Sequence, residues 1–359
     1  MISRHLQAAA LIGAAACAPS AHEEAPVQAT PAIAIDRAAG VGETHFGRIT
    51  QITDGGENAE AYFSGDGRQL IFQSTRDGRA CDQQYVINID GTGLRRVSTG
   101  TGKTTCGYFL DDDRRIIYAS THAADTACPP RPDPSMGYVW RLDPFDLYVA
   151  RKDGSELRRL TNYGVYTAEA TVSPDGRMIV FTSLKDGDLE LYTMRTDGTD
   201  IRRLTNARGY DGGAFFSPDS RKIVWRAWHP TDSAGLAAYQ GLLDQRLVRP
   251  GRMELWIMNA DGTDQRQITN LGGANWAPFF TPDGRRIIFS SNHHVSPRSG
   301  NFDLFVVNLD GTGLEQITTE PTFDGFPQFS PDGTKLVWAS NRHARNPRET
   351  NIFVADWRP

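Results

Sequence analysis

Ser330-Pro331-Asp332-Gly333-Thr334-Lys335-Leu336-Val337-Trp338-Ala339-Ser340-Asn341-Arg342 holds a tight turn followed by an apolar, β-branched run. Pro presets one turn dihedral, Asp bonds the backbone ahead of it, and Gly supplies a positive φ, so the segment reads as a turn feeding a buried strand. The same chemistry recurs at Ser173-Pro174-Asp175-Gly176, Ser217-Pro218-Asp219-Ser220 and Thr281-Pro282-Asp283-Gly284, and in degenerate form at Ser64-Gly65-Asp66-Gly67 and Leu110-Asp111-Asp112-Asp113. Behind these turns come Leu70-Ile71-Phe72, Ile116-Ile117-Tyr118, Ile179-Val180-Phe181, Ile223-Val224-Trp225 and Ile287-Ile288-Phe289. Farther downstream, Asp-Gly pairs at Asp90, Asp153, Asp197, Asp261 and Asp310 mark a second hairpin in five of the copies.

The copies begin at 64, 110, 173, 217, 281 and 330, and the shortest interval, from 173 to 217, is 44 residues. A unit of that size with four short strands is a propeller blade, and the longer intervals are blades with insertions. The fold expected is therefore all-β: a six-bladed β-propeller of four-stranded blades. Naming the strands a to d from the axis outward, the sixth blade reaches strand c at Ile352-Phe353-Val354-Ala355 and lacks a strand d of its own. Phe46 to Thr53 has the polar-apolar ending of the other d strands, and adding it to the last blade closes the ring and removes two open edges.

Composition fits one body: 35 Gly and 20 Pro suit many turns, and a net charge of −5 without a basic stripe gives no reason to expect nucleic acid. The start of the chain is different material. Residues 1–17 read as an export signal, with Arg4, an apolar stretch over 6–16 and Gly13-Ala14-Ala15-Ala16-Cys17, similar to a bacterial lipobox that would lipidate Cys17. Ala14 stands where the lipobox pattern has leucine, and plain cleavage to a secreted protein is the alternative. Residues 18–43, rich in Ala, Pro and Glu, read as a disordered tether, and 44–359 as the propeller. The expected location is the cell envelope, at the periplasmic face of the outer membrane.

An exported chain meets oxidising conditions, so one disulfide among Cys81, Cys106 and Cys128 is expected, with one thiol left over and the pairing open. Cys106 with His122 as base would be a nucleophile, but strand pairing puts them about five residues apart, roughly 16 Å, which argues against it.

Both recurring turns lie on one face, and every large insertion joins strand b to strand c on the other: 122–144, 229–252, 293–301 and 343–350. Varied loops on a repeated scaffold are where binding resides. The spacing of Leu236, Tyr239, Leu243 and Leu247 behind Asp232 or Ser233 predicts a short helix across that face, and Cys128-Pro129-Pro130-Arg131-Pro132-Asp133-Pro134 predicts a stiff lid. These segments would either wall a pocket or merely cover blade tops.

Aligning the ends of strand b gives Arg76, His122, Lys185, His229, His293 and Arg342, and the starts of strand c give Gln83, Asp146, Glu190, Glu254, Asp303 and Asn351. Histidines two blades apart are on the order of 17 Å apart and cannot share an ion. The simpler expectation pairs His122 with Asp146, Lys185 with Glu190, His229 with Glu254 and His293 with Asp303. Nearer the axis, Asn58, Thr104, Thr167, Asp211, Asn275 and Asp324 are expected at the channel mouth, with Glu60 and Glu169 two residues deeper and Trp276 as a flat apolar surface. Such a rim could hold a cation, a sugar or a peptide, or simply water. Asp111-Asp112-Asp113 lacks the spacing of a calcium loop and reads as a turn. No cofactor and no metal cluster is expected; a channel-bound cation is the one inorganic ligand the rim could take.

From the Ser330–Arg342 unit and Asp310-Gly311-Thr312-Gly313-Leu314, the repeats resemble the TolB-like six-bladed, WD-like propellers, over residues 44–357. The resemblance implies a propeller that binds a protein or gates a neighbouring enzyme. The α/β domain that precedes the propeller in TolB has no counterpart here, which leaves a Tol-Pal role unsupported. The function expected is thus a non-enzymatic, envelope-anchored module presenting its loop-rich face, through Asn58, Glu60, Glu169, Asp211, Asn275, Trp276, Asp324, His122, His229, His293 and Arg342, to a protein or envelope polymer. The rival is a lyase or hydrolase acting on a polysaccharide or peptide at the axis, and a buried acid of raised pKa beside a histidine would favour it.

Overall fold

Each apolar run behind a turn is the second strand of a four-stranded antiparallel sheet, and six such sheets surround one axis. The first blade holds Glu57–Phe63, Gln69–Thr75, Gln83–Asn88 and Arg95–Arg96, and the next four repeat the order. The computed structural model describes residues 34–110, 113–296 and 299–359. The export signal with Cys17, the tether up to residue 33, and Asp111 and Asp112 lie outside the described residues. Among those described, no helix is long and apolar enough to cross a membrane.

The recurring turn is fixed by its own side chains. Ser330 Oγ donates to Asp332 Oδ1 (2.6 Å) and accepts the Lys335 amide (2.9 Å), while Gly333 takes φ 70°. Asp113 holds the corresponding left-handed position in blade 2 (φ 65°), and its carboxylate accepts the Gly65 and Asp66 amides, joining two neighbouring turns. Behind the turns, Leu70-Ile71-Phe72, Ile179-Val180-Phe181 and Leu336-Val337-Trp338 are fully buried, because strand b is covered on both faces by adjacent blades. Each such side chain contributes about 1.5–3 kcal/mol by leaving water. The outer strands of blades 1 to 5 shrink to two residues, which leaves little open edge.

The last blade consists of Asp324–Phe329, Lys335–Ser340, Asn351–Trp357 and Phe46–Gln51, so the start of the chain completes its end. One hydroxyl shows that the added strand is equivalent to the others. Thr161, Thr205, Thr269 and Thr318, each just beyond its strand d, accept the amides of Leu147, Leu191, Leu255 and Leu304 on strand c, and Ser98 accepts that of Gln84. Thr53 accepts the Ile352 amide at 2.9 Å in the same way. The sheet also extends beyond the expected boundary: Ile35–Arg37 pairs with the Phe46–Gln51 strand as a fifth strand, and Glu43 is buried against Arg342. Three strand residues beside an Ala/Pro-rich stretch carry too little pattern to be read from sequence.

Thr53 is buried, and its hydroxyl also donates to Asn351 Oδ1 (3.0 Å). Thr53→Ala should lower the unfolding free energy by about 1–3 kcal/mol, as should Thr205→Ala, because each leaves a buried strand-c amide unmet. Denaturant titration checks this; a loss for Thr205→Ala with none for Thr53→Ala would show that the ring is not closed there.

Candidate functional site

All six strands a carry a register shift after their second or third residue. At each shift one residue adopts the left-handed region: Glu60 (53°), Cys106 (50°), Glu169 (58°), Gly213 (61°), Ala277 (49°) and Phe326 (57°). Five of the six are not glycine, and each costs on the order of 1–3 kcal/mol that the surrounding sheet must offset. Bulges re-aim side chains, and four of these positions end at the axis. Glu60, Cys106, Glu169 and Phe326 line a cavity of about 680 Å³ at the loop-rich mouth of the channel.

The cavity is roofed by the blade 2 insertion. Cys81 and Cys128 form the disulfide, with Cα atoms 5.8 Å apart, and tie one end of this strap to blade 1; Cys106 is the thiol left over. The other end is pinned where Trp140–Arg141 pairs with Leu247–Val248 of the blade 4 insertion. That insertion holds the expected helix, Ser233–Leu243, capped by Asp232, and Tyr239 anchors it through its hydroxyl, which lies within hydrogen-bond distance of both Asp188 Oδ1 and the Gly209 carbonyl. Leu247, expected to continue the helix, lies instead in the bridge between the two insertions. Trp140 lies over the Arg226 guanidinium (4.9 Å) and against Trp276 (5.3 Å).

Inside, Arg226 pairs with Glu169 and donates to the Tyr210 hydroxyl (2.9 Å). Glu169 also accepts from Thr182 (2.7 Å) and from the Gly213 amide (2.9 Å). A side chain at position 213 would meet the Arg226 guanidinium at 2.0 Å, so the glycine makes room for the arginine. Burial raises the Glu60 carboxyl to about 7; the Cys106 thiol bonded to it works against this and the Glu169 charge adds to it. Burial, then the charges of Glu60 and Glu169, hold the Cys106 thiol well above its ordinary value, so it is no thiolate nucleophile. Burial likewise keeps Tyr166 and Tyr210 as neutral phenols. Three lining side chains keep a buried polar atom without a partner: Glu60 Oε2, Arg226 Nε and Asp143 Oδ2.

Of the residues expected at the mouth, Glu60, Glu169 and Trp276 line the cavity. Asn58, Asp211, Asn275 and Asp324, with Thr104 and Thr167, are fully buried inside their blades. Asn58 accepts from Ser74, Asp211 from Trp225, Asn275 from Ser291 and Asp324 from Arg342, so these side chains fasten strand a to strand b and the turn beyond it.

The expected cation–carboxylate pairs across the b–c hairpins are not formed. His122 bonds Ser120 (2.7 Å), Lys185 pairs with Asp186, His229 pairs with Asp211 (3.0 Å) and His293 bonds Ser291 (2.9 Å). Register explains it: Asp146, Glu190 and Asp303 lie opposite Ser120, Ser183 and Ser291, and Glu254 lies opposite Ala227, two residues short of the cations. The carboxylates turn outward instead, Asp146 to Arg159, Glu190 to Arg203 and Glu254 to Thr269. Asp303 meets His294 at 2.7 Å, the histidine next to the one expected. Arg342 is buried between Glu43 and Asp324.

No family model and no curated protein sequence matches the chain. Solved structures do. A TolB-like protein from Agrobacterium tumefaciens superposes with TM-score 0.55 at 19% identity, over 84% of this chain and 91% of that one. The fold is the six-bladed propeller of the TolB type. A gluconolactonase from Xanthomonas campestris gives TM-score 0.57 at 14% identity, over 94% and 99% of the two chains. An oligogalacturonate lyase in complex with manganese gives 0.53 at 14%, over 92% and 97%. At these identities the likeness is one of fold. Among the described residues no group of three or more His, Cys, Asp or Glu is placed to hold a metal ion. At the axis the Arg226 guanidinium neutralises Glu169, and burial raises both the Glu60 carboxyl and the Cys106 thiol.

A carboxyl raised in the folded chain favours the protonated fold. Its stabilising contribution is whole below the ordinary value of 4.5 and is lost as pH rises to about 7. Glu190 and Asp303 are raised to about 7 as well, so they share the effect. Glu60→Gln should therefore show a smaller fall in Tm across this range than the unaltered chain, without abolishing it. Parallel Tm profiles for the two proteins would contradict the buried, unionised Glu60.

Proposed function

We propose that this chain is a non-enzymatic binding module of the cell envelope, exported and held through a lipid on Cys17, that receives its ligand in the axial cavity beneath the strap. The observation that carries this reading is the cavity's set of unpartnered polar atoms, Glu60 Oε2, Arg226 Nε and Asp143 Oδ2. Buried polar groups are normally satisfied, and three of the eleven unpartnered buried atoms among the described residues belong to side chains that line this one cavity, so a ligand entering it can bring their partners after small side-chain adjustments. The partner is a protein or an envelope polymer, entering as a chain end or a side group, since the roofed cavity is too confined for a folded surface.

Ala59 lines the cavity from blade 1. Ala59→Phe should fill the site, leave Tm within a few degrees, and lose the component that the intact chain captures from native envelopes. Capture that survives the filled cavity would defeat the reading.

A second reading rests on Glu60, whose carboxyl at about 7 is poised for general acid or base work in a lyase or hydrolase. Against it, among the described residues no histidine lines the cavity, Glu169 is fixed by Arg226, and Cys106 is held as a thiol. Ligand recovered from the protein after long incubation should therefore have an unchanged mass. A cleaved product that Glu60→Gln no longer yields would establish the enzyme instead.

A further inference from the structure

We propose that the occupant of the axial cavity is an uncharged saccharide, bound by one or two rings at the end or side of a chain; this rests on the cavity being the binding site. Three independent features select that chemistry. The first is charge. With Glu60 protonated, the lining holds four carboxylates against five Lys or Arg side chains among the described residues, so it carries no strong net charge of either sign. Most of these charges are already matched: Glu169 with Arg226, Asp143 with Arg141, and Glu57 with Arg131 and Arg348.

The second is the type of unmet group. Arg226 Nε can only donate and Oδ2 of the Asp143 carboxylate, which pairs with Arg141 through Oδ1, accepts, while Glu60 in its protonated form can do either. The Arg226 side chain is 9% exposed and that of Asp143 2%, so water does not freely cover the deficit. A carboxylate has nothing to give Asp143, and an ammonium has nothing to give Arg226. A hydroxyl both donates and accepts, and neighbouring hydroxyls on one ring satisfy both residues at once.

The third is the apolar surface. Tyr138 is 65% exposed at the mouth and is the one large aromatic left so open among the described residues. Trp140 Nε1 donates to its hydroxyl (3.1 Å), and its ring leans on Trp276 (6.0 Å between centroids), so the platform is held in place rather than loose. An aromatic face with its polar tip already engaged suits the C–H face of a pyranose, which is apolar while its edges are polar. At about 680 Å³ the cavity lies in the range of small-ligand sites, roughly 300–1,000 Å³.

Trp140 and Trp276 line the cavity, so tryptophan fluorescence reads occupancy in the full-length protein. The probes are cellotriose and N,N′-diacetylchitobiose as neutral sugars, digalacturonate and the chitosan dimer as charged counterparts, and triglycine as a peptide. At least one neutral sugar should shift the emission with a Kd below about 10 mM, at least about tenfold tighter than either charged sugar. Tyr138→Ala, a change at an exposed side chain, should weaken that binding at least about tenfold with Tm unchanged. Tighter binding of a charged sugar or of triglycine, or no response to any neutral sugar, would overturn the saccharide assignment. If Ala59→Phe still abolishes envelope capture in that case, the cavity remains the site and only the ligand class is wrong. Neutral-sugar binding that is indifferent to both Tyr138→Ala and Ala59→Phe would place the sugar elsewhere and defeat both.

Discussion

A propeller has no element that spans its diameter, so its integrity depends on closing the ring, and here closure comes down to one strand brought from the far end of the chain. Phe46–Gln51 adds to Asn351–Trp357, and Thr53 repeats on Ile352 the hydroxyl-to-amide contact that Ser98, Thr161, Thr205, Thr269 and Thr318 make in the other blades. Closing a loop of such length costs chain entropy only slowly with added residues, and it secures the inner strands against one another. With the ring fixed, the axis becomes a defined space whose walls are all strands a.

Those walls are where the structure departs from regular β geometry. Every inner strand shifts register at one left-handed residue, and the strain is tolerated because the sheet on either side is paired and buried. The outcome is a change of direction: at four of these positions, Glu60, Cys106, Glu169 and Phe326, side chains line the axial cavity. Glu60, Cys106 and Glu169 meet there under the strap, and Gly213, the one member without a side chain, yields its volume to Arg226. Arg226 neutralises Glu169, and burial raises the neighbouring Glu60 carboxyl to about 7. The strap, tied by Cys81–Cys128 and by the Trp140–Arg141 bridge to the blade 4 insertion, roofs the cavity while leaving Tyr138 open at its edge.

Much of this architecture was legible in the sequence because it rests on local rules. The Ser/Thr-Pro-Asp-Gly turns, the buried strands behind them, the closure by residues 46–53 and the helix behind Asp232 all follow from turn, periodicity and capping chemistry. The site was legible in part. Glu60, Glu169 and Trp276 were picked out by position, but Asn58, Asp211, Asn275 and Asp324 were expected beside them because a strand was assumed to alternate regularly. The bulge breaks that alternation, and a left-handed Glu, Cys or Phe carries no local signal; the glycine at 213 was the one hint. The carboxylates opposite strand b were assigned to the wrong partners for a similar reason, a register offset of two residues that pairing alone reveals. Arg226 and Asp143 went unnoticed because nothing near them in sequence marks an arginine or aspartate as buried.

The likeness to TolB-type proteins, a gluconolactonase and a lyase establishes a fold that supports several chemistries, so the residues at the axis must carry the functional argument. That argument presupposes a closed ring. Native-state hydrogen exchange at the Ile352 amide tests this most directly. A closed ring predicts that Ile352 exchanges as slowly as Leu191 and Leu255, through global unfolding alone. Exchange of Ile352 orders of magnitude faster than these two would show that the sixth blade opens by itself and would contradict the account.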